Sequence, residues 1–231
     1  MRNIIELNRV WKTYLLGGSP VNALQGINLA IQENSFVVIV GPSGSGKSTL
    51  MNLVGCLDLP SAGTVKLVDK DISKMQDNEL AMLRGKKIGF VFQKFNLIPN
   101  LTATQNVVLP MIFQGVSSSE RLKRAEELLT FVGLGHRLDH KPNQLSGGEQ
   151  QRVAIARSLS NNPEVILADE PTGNLDSATG KKIMTLFKEL HDKGKTIIFV
   201  THDQELTKYA QKIVKIRDGK VIETTNRRKA K

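Results

Sequence analysis

The sequence has little of three features that often decide the class of a protein: cysteine, aromatic side chains and long apolar runs. The single cysteine, Cys56, excludes an internal disulfide framework and agrees with a reducing compartment. Aromatic residues make up 5% of the chain, too few for a platform on which the bases of a single strand stack. Apolar runs such as residues 36–40 are far shorter than the roughly 20 residues that cross a bilayer. We therefore expect no membrane-spanning segment.

The N-terminus also lacks the pattern of a secretory signal, because Glu6 and Arg9 fall where an uninterrupted apolar segment would have to lie. We therefore expect a cytoplasmic protein. The 231 residues, of which 40% are hydrophobic, suffice for one substantial core. No internal repeat, low-complexity tract or obvious interdomain linker interrupts them. The sequence thus predicts a single domain over residues 1–226.

The formal net charge of +10 favours an anionic partner and leaves three classes open: a nucleotide, a lipid headgroup surface and a nucleic acid. Charge alone does not choose between them. Part of the excess lies in residues 227–231, which we interpret as a solvated basic C-terminal tail. Its cationic residues are Arg227, Arg228, Lys229 and Lys231.

Strand-like runs rich in Val, Ile and Phe alternate with longer helical patterns, which is typical of βαβ units and a largely parallel sheet covered by helices. The sequence therefore predicts an α/β fold. Between the second and third predicted strands, Ser119 to Val132 has apolar residues at three- and four-residue spacing, which predicts a helical subdomain at about residues 94–150. The predicted core strands are Phe36 to Val40, Ile88 to Phe92, Val165 to Ala168, Thr196 to Val200 and Ile213 to Ile216.

A glycine-rich segment follows the first predicted strand and precedes a helical run that begins at Thr49. It matches the pattern G-x-x-x-x-G-K-[ST], in which glycines let backbone N–H groups converge on phosphate oxygens and the helix N-terminus adds positive charge. A mere glycine-rich turn is the ordinary alternative, and the strand and helix on either side favour the phosphate cradle. We expect Lys47 to reach the β- and γ-phosphates and the Ser48 hydroxyl to hold Mg²⁺. The cradle comprises Gly41, Pro42, Ser43, Gly44, Ser45, Gly46, Lys47, Ser48 and Thr49.

Two carboxylates, Asp169 and Glu170, stand directly after an apolar run that has the pattern of a buried strand. Acidic pairs are common on solvated loops, but the ends of parallel strands are where α/β proteins build their sites, and a phosphate cradle accompanies this pair. We expect Asp169 to hold Mg²⁺ or its water shell. Glu170 is the candidate base that orients and deprotonates the attacking water.

Polar residues also follow two other predicted strands, Gln93 after the second and His202 after the fourth. Each has an ordinary alternative, since a lone glutamine is usually surface and a lone histidine usually structural. If both project over the same crevice, Gln93 ligates Mg²⁺ or touches the attacking water. His202 then donates a hydrogen bond to the γ-phosphate or to that water.

A second glycine element, Leu145 to Glu149, precedes another helical pattern. Two interpretations stay open together: a phosphate-binding helix N-terminus, and a capping box in which Ser146 is the N-cap and Glu149 the matching third helical residue. A chain with one phosphate cradle needs a second only if the two act on the same nucleotide from different molecules. Two copies facing head to tail would bury two ATP molecules at a two-fold interface. The candidate binding residues of this element are Ser146, Gly147, Gly148 and Glu149.

The order of these motifs resembles the ATPase domain of ABC (ATP-binding cassette) proteins over residues 3–222. The resemblance implies a P-loop NTPase core of the RecA-like type with a mainly parallel sheet, an N-terminal antiparallel β subdomain and a helical subdomain. It also implies that the chain binds ATP and Mg²⁺ and hydrolyses ATP. Glu149 departs from the commoner glutamine and adds a carboxylate near the expected interface between copies. The implied roles are adenine stacking for Tyr14, the Q-loop residue for Gln93, the catalytic base for Glu170, the D-loop aspartate for Asp176 and the switch histidine for His202.

Short segments outside the main motifs, such as Gly55-Cys56-Leu57-Asp58, are similar to sequences of the lipoprotein-releasing and macrolide-exporter (LolD/MacB) branch of this family. That branch also contains FtsE. Fused MacB-type proteins continue into a membrane domain, whereas this chain stops at Lys231, so we expect the membrane helices to belong to another polypeptide.

For Tyr14, the ordinary alternative to adenine stacking is a role in the core or on the surface.

The partners that the resemblance implies are a second copy of the chain on ATP binding and a separately encoded permease. We expect the surface around Phe95 to Asn106 to contact the permease at the inner face of the cell membrane. The alternative is that the apolar residues of this segment pack within the helical subdomain. No nucleic acid is expected. An FtsE-like regulatory ATPase that moves no cargo, and a soluble ABC ATPase that acts on nucleic acid, stay open as alternatives.

Overall fold

The computed structural model describes residues 2–227, so the predicted tail residues Arg228, Lys229 and Lys231 lie outside the described part. That part divides into two compact units, one formed by residues 2–81 with 194–227 and the other by residues 82–193. The domain boundaries read from the sequence stay a prediction. None of the described helices combines the length and the apolarity that a membrane crossing requires.

Strands and helices follow one another along the described residues. The helices are α1 (Lys47–Val54), α2 (Asp77–Lys87), α3 (Ala103–Phe113), α4 (Ser118–Phe131), α5 (Gly147–Ser158) and α6 (Ser177–Asp192). The strands are β1 (Asn3–Leu16), β2 (Ser19–Gln32), β3 (Phe36–Val40), β4 (Ala62–Leu67), β5 (Lys70–Asp71), β6 (Ile88–Val91), β7 (Val165–Asp169), β8 (Thr196–Thr201), β9 (Lys212–Arg217) and β10 (Lys220–Asn226). Short 3₁₀ turns lie at Ile72–Lys74, Pro142–Gln144 and Gln204–Tyr209.

The first unit contains an antiparallel sheet with the strand order β2-β1-β4-β5. Strands β1 and β2 pair from Asn3 opposite Gln32 to Leu16 opposite Ser19. One face of the sheet is apolar, and Leu7 is only 1% exposed there. This sheet confirms the N-terminal antiparallel β subdomain that the family resemblance implied.

The first unit also holds four strands in the order β10-β9-β3-β8. Strand β3 is buried along its whole length and runs parallel to both β8 and β9. Its last residue, Val40, lies opposite Thr201 on one side and Lys215 on the other. These strands therefore end at one edge of the sheet, and the glycine-rich segment leaves β3 at this edge.

In the second unit, β6 and β7 are parallel, with Ile88 opposite Val165 and Val91 opposite Ala168. Helix α5 packs against β6 and against helices α3, α4 and α6. Its residues 153–156 are fully buried, so α5 forms the centre of this unit. The parallel pairing here and around β3 confirms the predicted α/β class.

The predicted and observed elements differ mainly at their ends. Phe92 lies beyond β6, whereas Asp169 and Thr201 extend β7 and β8 by one residue. Helix α1 begins at Lys47 and not at Thr49, because Gly46 is the N-cap residue and has a left-handed backbone with φ of 99°.

Candidate functional site

The phosphate cradle runs from the end of β3 to the start of α1, as predicted. Two of its positions require glycine, each for a different structural reason. A Cβ atom on Gly41 would lie 2.2 Å from the carbonyl oxygen of Ile216, so any larger residue clashes with β9. A Cβ on Gly46 would lie 2.6 Å from the carbonyl oxygen of Ala23, and the φ of 99° is itself unfavourable for other residues. The cradle is thus packed closely against strands β9 and β2 of the first unit.

Lys47, the first residue of α1, turns its ammonium group back onto the loop. Its Nζ atom donates to the carbonyl oxygens of Gly41 at 2.8 Å and Pro42 at 2.7 Å. The loop therefore holds a full positive charge next to the partial positive charge of the helix N-terminus. Both charges favour an anion, and Ser48, the next residue, is exposed.

The Ser45 side chain is enclosed within the loop. Its hydroxyl is buried, and no hydrogen-bond partner is found for it among residues 2–227. Buried hydroxyls nearly always have a partner. The Ser45 hydroxyl is therefore a group inside the loop and not one that faces a ligand.

A turn between β9 and β10 supports the cradle from outside the motif. The N–H of Gly219 donates to the Ser45 carbonyl at 3.0 Å, and the Gly219 carbonyl accepts from the N–H of Gln25 at 2.8 Å. Gly219 has φ of 72°, and a Cβ there would lie 2.8 Å from the Ala23 carbonyl oxygen. This role of Gly219 was not predicted from the sequence. The available signal was the dipeptide Asp218-Gly219, a typical turn sequence.

His202 lies at the same edge of the first unit as the start of the cradle. It follows Thr201, which pairs with Val40, and Gly41 follows Val40. The imidazole is on an exposed residue, and the N–H of Asp203 donates to the Thr201 hydroxyl at 3.0 Å, which fixes the turn after β8. The structure therefore brings His202 and the cradle to one edge, as predicted for them.

Tyr14 lies near the end of β1, where its ring and its hydroxyl both have partners. The hydroxyl donates to Asp58 Oδ2 at 2.8 Å, and Lys12 Nζ lies 2.6 Å from Asp58 Oδ1 and 4.9 Å from the centre of the Tyr14 ring. Burial, and then Asp58, raise the pKa of Tyr14, while the side chain of Thr49 in the cradle acts in the opposite direction. Tyr14 is therefore neutral and lies near the cradle. Its stacking on adenine stays a prediction.

The acidic pair occupies the end of β7 in the second unit. Asp169 is the last residue of the strand, and Glu170 has a left-handed backbone with φ of 45°. Such a conformation is costly for a residue with a side chain, and strained positions of this kind cluster at functional sites. The Glu170 carbonyl accepts from the N–H of Gly173 at 3.0 Å, which closes the loop after the strand.

Gln93 meets this loop within the second unit. Its Nε2 donates to Asn174 Oδ1 at 3.3 Å, and Asn174 Nδ2 donates to the Gln93 carbonyl at 2.9 Å. A Cβ on Gly173 would lie 3.0 Å from Gln93 Nε2. The predicted neighbourhood of Gln93 and the acidic pair is therefore present, and the positioning role of Asn174 was missed by the sequence analysis.

Gln151 is a further residue whose role was not predicted from the sequence. It lies on α5, is fully buried, and donates from Nε2 to the Pro171 carbonyl at 2.7 Å. Because Pro171 directly follows Glu170, this bond links α5 to the loop of the acidic pair. A polar residue among the buried positions of a helix was the available signal.

The second glycine element forms the start of α5, and the capping-box interpretation is confirmed. Ser146 is the N-cap: its hydroxyl accepts from the N–H of Glu149 at 3.3 Å, and Glu149 Oε2 accepts from the N–H of Ser146 at 2.8 Å. Hydrogen bonding from the Ser146 N–H is the main reason that the pKa of Glu149 lies below its ordinary value. The phosphate-binding role of this turn stays a prediction.

Asp176 caps the next helix, α6, in the same unit. Its Oδ1 accepts from the N–H groups of Ala178 at 3.0 Å and Thr179 at 2.9 Å. Hydrogen bonding from the Thr179 side chain, followed by these backbone N–H groups, lowers the pKa of Asp176. The D-loop aspartate that the family resemblance implied therefore also serves as a helix N-cap.

Gly148 is expected to tolerate substitution less well than its neighbour Gly147. A Cβ on Gly148 would lie 2.4 Å from Thr179 Cγ2, whereas the nearest atoms to a Cβ on Gly147 lie at 3.7 Å. Overpacking of this kind typically costs about 1 to 3 kcal/mol. Gly148→Ala should lower the unfolding temperature, Gly147→Ala should not, and Thr179→Ser, which removes Cγ2, should restore the Gly148→Ala protein. Equal unfolding temperatures for the two alanine variants would contradict this packing.

The candidate metal ligands have the chemistry that Mg²⁺ prefers. Ser48 offers a hydroxyl, Gln93 an amide oxygen and Asp169 a carboxylate, all of them hard oxygen donors. Within the described residues, no group of three or more His, Cys, Asp or Glu side chains gathers at one point. One carboxylate with phosphate and water ligands is a usual Mg²⁺ arrangement, so each of these donors by itself suits the ion.

Comparison with known sequences gives one consistent result. The sequence pattern of the family described as ABC transporter matches residues 24–173. An ABC transporter ATP-binding protein of Thermotoga maritima is 56% identical over 96% of this chain and 94% of that protein. The macrolide export ATP-binding/permease protein MacB of Aggregatibacter actinomycetemcomitans is 48% identical over 99% of this chain, which spans 36% of the length of MacB.

Solved structures agree with the sequence relatives. The ATP-binding cassette MJ0796 of Methanocaldococcus jannaschii, in a dimeric post-hydrolysis state bound to ADP and phosphate, superposes with a TM-score of 0.90 at 50% identity. The match covers 98% of this chain and 100% of that one. CbiO1 of Clostridium perfringens, part of an ABC transporter complex, gives a TM-score of 0.88 at 31% identity over 98% of this chain and 89% of that one. These structures confirm the predicted fold class.

Proposed function

The chain belongs to the ABC transporter family and is an ATP-binding ATPase subunit of it, and from that premise we propose that it drives a separate membrane permease by closing and opening as a nucleotide-bound dimer. The observation that supports this proposal most directly is the coexistence of two cradles in one chain. One is the loop that holds the Lys47 ammonium, and the other is the capped N-terminus of α5.

Each site residue has a role that its observed contacts allow. Lys47 would bind the β- and γ-phosphates. Glu170 would accept the proton of the water that attacks the γ-phosphate. Gln93, fixed through Asn174, and His202 would orient that water. The adenine would stack on Tyr14, whose phenol is held by Asp58.

Mg²⁺, when bound with ATP, neutralises charge on the β- and γ-phosphates. Ser48, Gln93 and Asp169 would hold it through their oxygen atoms. This chain contributes the positions of those donors: Ser48 on the first turn of α1, Asp169 at the end of β7 and Gln93 in its bond with Asn174.

We assign the glycine turn before α5 to the γ-phosphate of ATP bound to a second copy. Closing two copies head to tail on two nucleotides places each triphosphate between the cradle of one protomer and the α5 turn of the other. Electrostatic attraction of both turns for the phosphates offsets the cost of association. Hydrolysis divides the charge between ADP and phosphate and loosens the dimer, which supplies the motion.

The LolD/MacB-type role in export or lipoprotein release rests on the sequence relatives. MacB itself combines an ATP-binding and a permease part, and this chain corresponds to about a third of it. We therefore place the chain at the inner face of the cell membrane, attached to a permease. A regulatory role of the FtsE kind would use the same cassette and differ only in moving no cargo.

The segment from Phe95 to Asn106 has the properties of a partner surface. Asn106 is buried and its Nδ2 donates to the carbonyls of Ile98 and Leu101, and Arg157 donates to the Phe95 carbonyl at 2.9 Å. The backbone of the segment is therefore anchored, while Ile98 remains 40% exposed. A fixed backbone that presents an apolar side chain suits a docking surface.

Membrane binding tests the proposed role. The tagged protein should be retained by inverted membrane vesicles of its own cells at high salt, and trypsin treatment of the vesicles beforehand should abolish retention. Ile98→Asp should weaken retention severalfold without changing the ATP turnover of the free protein. Ile222→Asp, at a 59% exposed position on β10, is the matched control. Binding only to bare anionic vesicles, or to DNA or RNA with steep salt dependence, would contradict a permease partner.

A further inference from the structure

Glu149 has both carboxylate oxygens engaged. Oε1 lies 3.3 Å from Nε of Arg137, and Oε2 accepts from the N–H of Ser146 at 2.8 Å. The side chain is only 17% exposed. The carboxylate is therefore fixed at the N-terminus of α5, in the turn assigned to the γ-phosphate.

Arg137 is itself held in place by its surroundings. Its Nη1 lies 3.0 Å from His140 Nε2. The loop that carries both residues is tied to the start of α3, because the N–H of Ala103 donates to the His140 carbonyl at 2.8 Å and the N–H of Thr104 donates to the Leu138 carbonyl at 3.1 Å. A fixed loop thus presents the guanidinium group to Glu149.

The capping box decides which groups of the turn remain for an anion. It engages the N–H groups of Ser146 and Glu149. The N–H groups of Gly147 and Gly148 have no acceptor within the helix, and the Ser146 hydroxyl, which accepts from Glu149, keeps its own proton to donate. The pKa of Glu149 is lowered, first by the Ser146 N–H and further by Arg137, so its carboxylate is charged at neutral pH. A negative charge therefore stands beside the donors that would face a phosphate.

We propose that Arg137 is a positioning residue for ATP-driven dimerisation: it compensates the charge of Glu149 and holds the capping box, so that the α5 turn accepts the γ-phosphate from a second copy. This inference rests on the proposed dimeric function and specifies how one of its two cradles works. It also explains how the cradle tolerates a carboxylate. With a neutral glutamine at position 149, there would be no negative charge for the Arg137 guanidinium to compensate.

The test is a double-mutant cycle in the Glu170→Gln background, with dimer formation followed by light scattering as ATP is added. Arg137→Gln should raise the ATP concentration for half-maximal dimer about tenfold, because an uncompensated charge then faces the phosphate. Adding Glu149→Gln should return this concentration to within about twofold of the parent. Arg137→Lys, which keeps the charge, should stay closer to the parent than Arg137→Gln. Arg124→Gln, which removes an exposed pair with Glu127 on α4, is the matched control.

Each result decides between the inference and the function it rests on. If Arg137→Gln dimerises at the ATP concentration of the parent, or if Glu149→Gln does not relieve its defect, the proposal is wrong. A defect shared by Arg137→Gln and the double variant would indicate a structural role only. If the Glu170→Gln parent forms no dimer with ATP, the proposed function fails first and this inference with it. Binding of a fluorescent ATP analogue by the monomeric variants should be unchanged, since the cradle around Lys47 remains intact. This measurement separates a defect in dimerisation from a defect in ATP binding.

Discussion

Glu170→Gln is expected to lower ATP turnover by at least about 100-fold while ATP binding persists, because glutamine keeps the size of the side chain and loses the basic oxygen. The local fold should survive the change. The loop after β7 is closed by a backbone bond from the Gly173 N–H to the Glu170 carbonyl, and glutamine adopts the left-handed backbone at a cost similar to that of glutamate. Phosphate release at saturating ATP measures the loss.

The same variant should accumulate as a dimer with ATP and return to the monomer with ADP, since the charge that joins the copies is no longer divided by hydrolysis. Glu164→Gln is the matched control, because Glu164 stands just before β7 and pairs with Lys87. Its turnover should equal that of the parent. Normal turnover by Glu170→Gln would show that another group is the base.

Features that depend on neighbouring residues in the chain could be predicted from the sequence. The cradle is one continuous run, and the strand before it and the helix after it have their own periodic patterns. The capping box of Ser146 and Glu149 spans one helical turn, so the sequence contains both partners at the required spacing. The positions of Gln93, Asp169 and His202 at or just after the end of a strand followed from the apolar runs that precede them.

Features that depend on distant residues could not be predicted. The bond from Gly219 to Ser45 joins a turn near the C-terminus to the cradle, and nothing in either segment specifies the other. The same holds for Gln151 and Pro171, and for Arg137 and Glu149. These contacts form when the core packs, and the spacing of neighbouring residues in the sequence does not specify them. The predicted start of α1 at Thr49 also lies two residues too late, because the left-handed Gly46 lets the helix begin inside the motif.

Lys47→Ala should weaken the binding of Mg·ATP by about 10- to 100-fold, since a hydrogen bond from a charged donor contributes roughly 1.5 to 3 kcal/mol. The variant loses the ammonium group that faces the phosphates. It also loses the bonds from Nζ to the Gly41 and Pro42 carbonyls, so the loop is less well held before nucleotide arrives. Both effects act on affinity, whereas Glu170→Gln acts on turnover, and the two variants should therefore separate binding from chemistry. Titration calorimetry with a slowly hydrolysed ATP analogue measures the change.

Lys212→Ala is the control that distinguishes a phosphate contact from the general loss of a lysine. Lys212 also donates to a backbone carbonyl, that of Ala30 at 2.6 Å, and burial lowers its pKa. It pairs with Val37, near the opposite end of β3 from the cradle, so its loss should leave ATP affinity unchanged. If Lys47→Ala bound Mg·ATP as tightly as the parent, the cradle would have to hold phosphate through its backbone N–H groups alone. The assignment of Lys47 would then be wrong, although the loop geometry set by Gly41 and Gly46 would stand.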